Sequence, residues 1–126
     1  NHSVKSILEW NDNMRSRKDA VDFCLTFKNV YEDHPFSDFN WTLMRHKKNK
    51  KNKKTFATIY ERQGNIWINV KCSPNLTYMW RNAFNSVIPA YHMNKEHWNS
   101  IILDGTVDED AIKMMIGDSY ELTCPR

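Results

Sequence analysis

Between Arg45 and Lys54 the chain reads RHKKNKKNKK, a segment with one Arg, six Lys and no acid. The six are Lys47, Lys48, Lys50, Lys51, Lys53 and Lys54. Ammonium groups at that density attract phosphate oxygens and displace the counterions around a nucleic-acid backbone. Lys acts as a point charge, whereas Arg offers the fork that reads a base edge. DNA contact through this segment is therefore expected to be non-specific and salt-sensitive. The competing reading is a solvated loop tip, which is what most runs of like charge are. The chain carries a net +3 from 18 basic and 15 acidic residues. Setting aside the seven bases of this segment leaves 11 against 15 acids, near −4, so the basic character is local.

The second candidate is the cluster Tyr91, His92, Met93, Asn94, Lys95, His97 and Trp98. Two imidazoles, an ammonium and two aromatics could stack a base, hold a phosphate or line a groove for a small ligand. His92 and His97 are separated by a turn and lack a dependable metal spacing. Packing is the competing explanation: Trp98 in the core, Asn94 capping a turn, and His92 and Lys95 left at the surface. His34 follows Glu32 and Asp33, where a metal or acid–base role competes with a loop ordered by Pro35.

Catalytic signatures are not found. With three Gly there is no phosphate-cradling loop and no G-x-S-x-G elbow. Cys24, Cys72 and Cys124 are widely spaced and form no CxxC pair, so reduced thiols in a cytoplasmic protein are expected. We therefore expect no enzyme, no cofactor and no metal. Neither a membrane-length apolar run nor a secretory start is read, and no membrane partner is expected. The start at Asn1 rather than Met fits a trimmed chain or a piece of a longer one. At 126 residues, 40% hydrophobic and 13% aromatic, one domain with a substantial core is expected.

The elements that must position these residues follow from periodicity. Residues 1–15 read as an extension bearing a short helix, with Val4, Ile7 and Leu8 on helical spacing. Residues 16–126 form the domain proper. Ser16 and Asp19 give a helix start, and Ala20, Phe23, Cys24 and Phe27 one apolar face, fading near Asn29 before a loop YEDHPFSDFN. WTLMRH (41–46) and TFATIYE (55–61) read as strands joined by the Lys-rich hairpin loop, and Gly64-Asn65 as the next turn. In NIWINVKC, Ile66, Ile68, Val70 and Cys72 alternate with Trp67, Asn69 and Lys71, predicting a half-buried strand. Ser73-Pro74 opens a helix with Leu76, Met79, Trp80, Ala83 and Phe84 inward. After a connector NSVIPAYHMNKE comes a strand HWNSIILD, then a last helix capped by Thr106 and Glu109 with Ile112, Met115, Ile116 and Tyr120 inward. The order α-β-β-β-α-β-α predicts an α+β antiparallel sheet.

The segment PAYHMNKEHWNSIILDG, from Pro89 to Gly105, resembles the signature of the bacterial MmcQ/YjbR family. YEDHPF (31–36), NVKCSP (69–74) and SYEL (119–122) agree in order and spacing, so the resemblance spans about residues 16 to 123. It implies a frataxin-like fold, also compared with double-wing DNA-binding domains, in which helices cover one face of a curved antiparallel sheet. The family's DNA-binding label rests mostly on that likeness of fold. The Lys-rich hairpin is longer than such proteins usually carry. Iron handling on the frataxin fold uses a clustered acidic ridge, whereas the acids here are spread along the chain. The expectation is thus DNA contact through Lys47–Lys54, with Lys71 and Lys95 adding charge. The alternative is a protein- or small-ligand-binding module using the groove around Tyr91–Trp98.

Overall fold

The computed structural model describes residues 14–47 and 54–125. The expected helix over residues 1–14 lies outside them except for Met14, which is buried in the core. Helix α1 (Arg17–Cys24) begins as the sequence predicts: the Ser16 hydroxyl accepts the Asp19 N–H at 3.0 Å. It buries Ala20, Val21 and Cys24 and stops at Cys24, short of Asn29. Asn29, at φ 58, then turns the chain into a strand, β1 (Val30–Asp33). The first part of the expected loop is thus a sheet edge. It pairs with β2 (Thr42–His46), and Asp33 meets Arg45 at 2.9 Å.

The pairing of β2 with β3 (Thr55–Arg62) shifts register after Met44, which sits opposite Ala57 while Arg45 faces Thr55. The extra residue is Phe56, and the bulge lets Phe56 and Ala57 both enter the core. Gln63 (φ 54) and Gly64 (φ 82) make a two-residue hairpin turn into β4 (Asn65–Lys71), so Asn65 is already strand. Helix α2 (Pro74–Ala83) follows, then a three-residue strand β5 (Val87–Pro89) inside the expected connector, then β6 (Trp98–Ile102). Helix α3 (Glu109–Thr123) completes the chain. The sheet order is β1-β2-β3-β4-β6-β5 with every pair antiparallel, an α+β fold.

The three helices cover one face. Helix α3 packs on β3 and β4, α1 on β3, and α2 on β5, enclosing Met44, Phe56, Ile59, Ile68, Val70 and Ile101. Two helix expectations shift. Trp80 is buried and Phe84 packs on the core as expected, but Leu76 and Met79 are 36% and 45% exposed, and Thr77 goes inward in their place. The Thr77 hydroxyl can go inward because it donates to the carbonyls of Ser73 and Glu96, at 3.0 and 3.1 Å. Thr106 does not cap α3: Asp108 holds the N-cap position without a side-chain bond, and the Thr106 hydroxyl bonds Asp104 and Ser86. His46 is 2% exposed, lies 2.8 Å from the Thr123 hydroxyl and packs on Phe56 and Tyr120. Burial holds its pKa below the ordinary histidine value, with Lys54 adding repulsion. Among the described residues, no helix is long and apolar enough to cross a membrane.

The placement of α2 is checked by substitution. Trp80→Ala should cost about 3–5 kcal/mol. Met79→Ser should stay within about 0.5 kcal/mol, as surface changes do. Urea midpoints that rank the two in the reverse order would contradict this face.

Candidate functional site

The face that the helices leave uncovered has its own relief, set by cross-strand register. Three rows run across the sheet. The first is bulky: Tyr60 opposite Trp67, and Trp67 opposite Ile102. The second steps down from Leu43 to Thr58, Asn69 and Ser100. The third places Lys71 opposite Trp98. Short polar side chains between taller ones make a trough. Trp41, Phe36 and Tyr91 raise its walls, and the resulting groove has a volume of about 910 Å³. It lies within the range of about 300–1,000 Å³ common for small-molecule sites.

The floor is tied to one wall by a buried polar network. Asn69 is 1% exposed, and its Oδ1 accepts from the Tyr60 hydroxyl at 2.8 Å and the Ser100 hydroxyl at 2.5 Å. Its Nδ2 donates to the Tyr91 carbonyl at 2.9 Å, while the Tyr91 N–H donates to Ser100 Oγ, also at 2.9 Å. Both backbone groups of Tyr91 are thereby fixed, just before His92 takes a left-handed φ of 61. Burial pushes the Tyr60 phenol up from its ordinary pKa, and its bonds to Ser100 and Asn69 oppose that shift.

The expected cluster divides. Tyr91, His92, Met93 and Trp98 line the groove. Trp98 is therefore a half-buried wall residue, not the core residue that packing alone suggested. Asn94 caps its turn, its Oδ1 accepting the N–H groups of Glu96 and His97 at 2.9 and 3.3 Å. Lys95 donates to the Ala90 carbonyl and lines a separate recess, while His97 lines neither cavity. Of the lysines, Lys54 and Lys71 line the groove and Lys47 is exposed at the start of the run. Lys48, Lys50, Lys51 and Lys53 lie outside the described residues.

Lys71 does share a face with Trp67, and no helix covers it. Trp67, however, is only 3% exposed, packed against Tyr60 and Tyr91 and under Arg62, so it is not an open stacking platform. His34 lies 2.6 Å from Glu32 Oε2. Among the described residues, no three His, Cys, Asp or Glu side chains converge as a metal site. Tyr60, Asn69, Ser100 and Arg62 escaped the sequence reading. The one available signal was Asn69, an amide in mid-strand between apolar neighbours.

The comparisons agree with this architecture. A family profile described as YjbR matches residues 25–122, and the chain belongs to that family. Similar proteins include the uncharacterised YyaQ of Bacillus subtilis, 36% identical over 111 residues that span 77% of this chain and 93% of that one. The uncharacterised YjbR of Escherichia coli is 32% identical over 66 residues, 52% of this chain and 56% of that one. A crystal structure of a Deinococcus radiodurans protein superposes with a TM-score of 0.81 at 25% identity, covering 90% of this chain and 81% of that one. A Pseudomonas syringae protein gives 0.73 at 28% identity, covering 86% and 98%.

Removing the Asn69 amide should leave the Tyr91 carbonyl without its partner and weaken the anchoring of the Tyr60 and Ser100 hydroxyls. Asn69→Ala is expected to cost about 1–3 kcal/mol. It should also speed exchange of the Tyr91 amide, which donates to Ser100 Oγ, more than that of the amides in α3. Uniform protection in the variant would show that the network does not hold this wall.

Proposed function

We propose that the protein is a binding module for a small organic ligand whose flat, apolar body lies in the groove. The observation that carries this reading is the trough itself, with Thr58 and Asn69 as a low floor between walls of Trp41, Tyr91 and Trp98. Apolar walls with a few fixed polar groups are the usual make-up of a ligand site. The wall is positioned before any ligand arrives, since Tyr91 is bonded at both its N–H and its carbonyl. Such preorganisation lowers the cost of binding. The test is fluorescence titration with phenylnaphthylamine, a neutral, flat probe. Saturable binding is expected for the wild type, and Thr58→Trp, which fills the floor, should weaken it by about tenfold or more. Equal binding by the two proteins would overturn the reading.

A second reading, DNA contact, is favoured by one observation: Lys54 and Lys71 line the same groove, and Lys54 closes the Lys47–Lys54 run. Phosphates beside stacking aromatics describe a single-strand site better than a duplex one. Anisotropy over a salt series checks it, comparing the wild type with a variant whose residues 47–54 are replaced by Asn-Gly. Each single-strand phosphate contact should add about −0.7 to the log–log slope, and the replacement should flatten it by several units. No binding at about 50 mM salt would end this reading.

A further inference from the structure

On the other side of Tyr91 lies a recess of about 490 Å³ that shares Tyr91, His92 and Met93 with the groove. Arg62 lines it, at the end of β3 where the hairpin turns. The guanidinium carbon sits 4.7 Å from the Trp67 ring centroid and 4.2 Å from that of Tyr91. Among the described residues, the Arg62 guanidinium makes these two ring contacts and no hydrogen bond or ion pair. Lys95 and His92 line the same recess and no acid does. The Trp67 indole N–H, on a residue 3% exposed, has no partner either. The recess thus presents one guanidinium without a hydrogen-bond partner.

A guanidinium held by two ring contacts and by no hydrogen bond keeps its N–H fork for another partner. That geometry suits two oxygens of one oxyanion, bound as a bidentate pair. Stacking also limits the rotamer freedom that Arg would lose on binding. We propose that this recess seats the oxyanion of the ligand whose apolar body fills the groove, with Arg62 as the principal donor and Lys95 adding charge. This rests on the groove reading and narrows the ligand to a flat, apolar molecule carrying a carboxylate, phosphate or similar group. The shared Tyr91–Met93 wall is what the molecule would straddle.

The test pairs phenylnaphthylamine with anilinonaphthalene sulfonate, which has the same ring skeleton plus one oxyanion. The wild type is expected to bind the sulfonate more tightly, by about tenfold, as charge-assisted hydrogen bonds allow. Arg62→Gln should abolish that preference and leave the neutral probe's affinity unchanged; Arg62→Lys should restore part of it. Circular dichroism of each variant confirms that the fold is intact. Competition by benzoate and by phenyl phosphate then assigns the oxyanion, the stronger competitor being the better match. Equal binding of the two probes with no effect of Arg62→Gln would overturn the seat and spare the groove. A parallel loss of both probes in Arg62→Gln would make Arg62 a wall support and likewise overturn the seat. Failure of both probes on the wild type would overturn the groove reading itself.

Discussion

Asn69 carries the constraint on which the uncovered face depends. A sheet with helices on one side only must either expose its second face or organise it without a covering layer. Here one buried amide does the organising: it joins β3 through Tyr60, β6 through Ser100, and the Tyr91 segment through its carbonyl. A buried amide is costly unless its hydrogen-bonding groups are met, and each of these partners lies on a different stretch of chain. The arrangement is therefore close to all-or-none. If the Tyr91 segment lifts, the amide loses a partner, and the groove loses a wall.

From that constraint the rest of the face follows. With Asn69 and Ser100 tied down, the middle row of the sheet stays low, and Thr58 between Leu43 and Asn69 keeps it so. The bulky row beside it cannot collapse into the trough, because Tyr60 is bonded to Asn69 and packed against Trp41, with ring centroids 4.5 Å apart. Tyr91 is thereby held where Arg62 can lie on its ring. Groove and recess are in this sense two sides of one fixed wall.

The sequence shows the parts governed by local pattern. Ser16 and the Pro start of α2 act within a few residues, and the structure has them. In β4 the side chains alternate between faces as expected, but the strand is not half-buried, because Trp67 and Asn69 are buried as well as Ile68 and Val70. β1 and β5 are not legible because four- and three-residue edge strands have no periodicity to display; their pairing partners define them. The inward face of α2 was right at Trp80 and Phe84 but not at Leu76 and Met79, because two helical stripes compete. Leu76 and Met79 are the more apolar pair, but Thr77 wins a buried place through two hydrogen bonds to backbone carbonyls. In the site, the Tyr91–Trp98 motif was visible as composition, and the family resemblance marked it. The polar network was not, since Tyr60, Asn69 and Ser100 meet only when β3, β4 and β6 pair.

The two sets of cations near this face differ in a way that bears on specificity. Lys54 and Lys71 are ammonium groups on flexible stems, able to follow whatever anion passes. Arg62 is confined by two rings, and its donors have one plane in which to work. Flexible charges raise the encounter rate and the salt dependence of any anion, whereas a fixed fork discriminates by shape. A protein that needed phosphate attraction alone would gain nothing from stacking an arginine beside a preorganised aromatic wall. The investment of Tyr60, Asn69 and Ser100 in holding Tyr91 is better matched to a ligand with a definite outline, and the lysines to bringing an anionic one within reach.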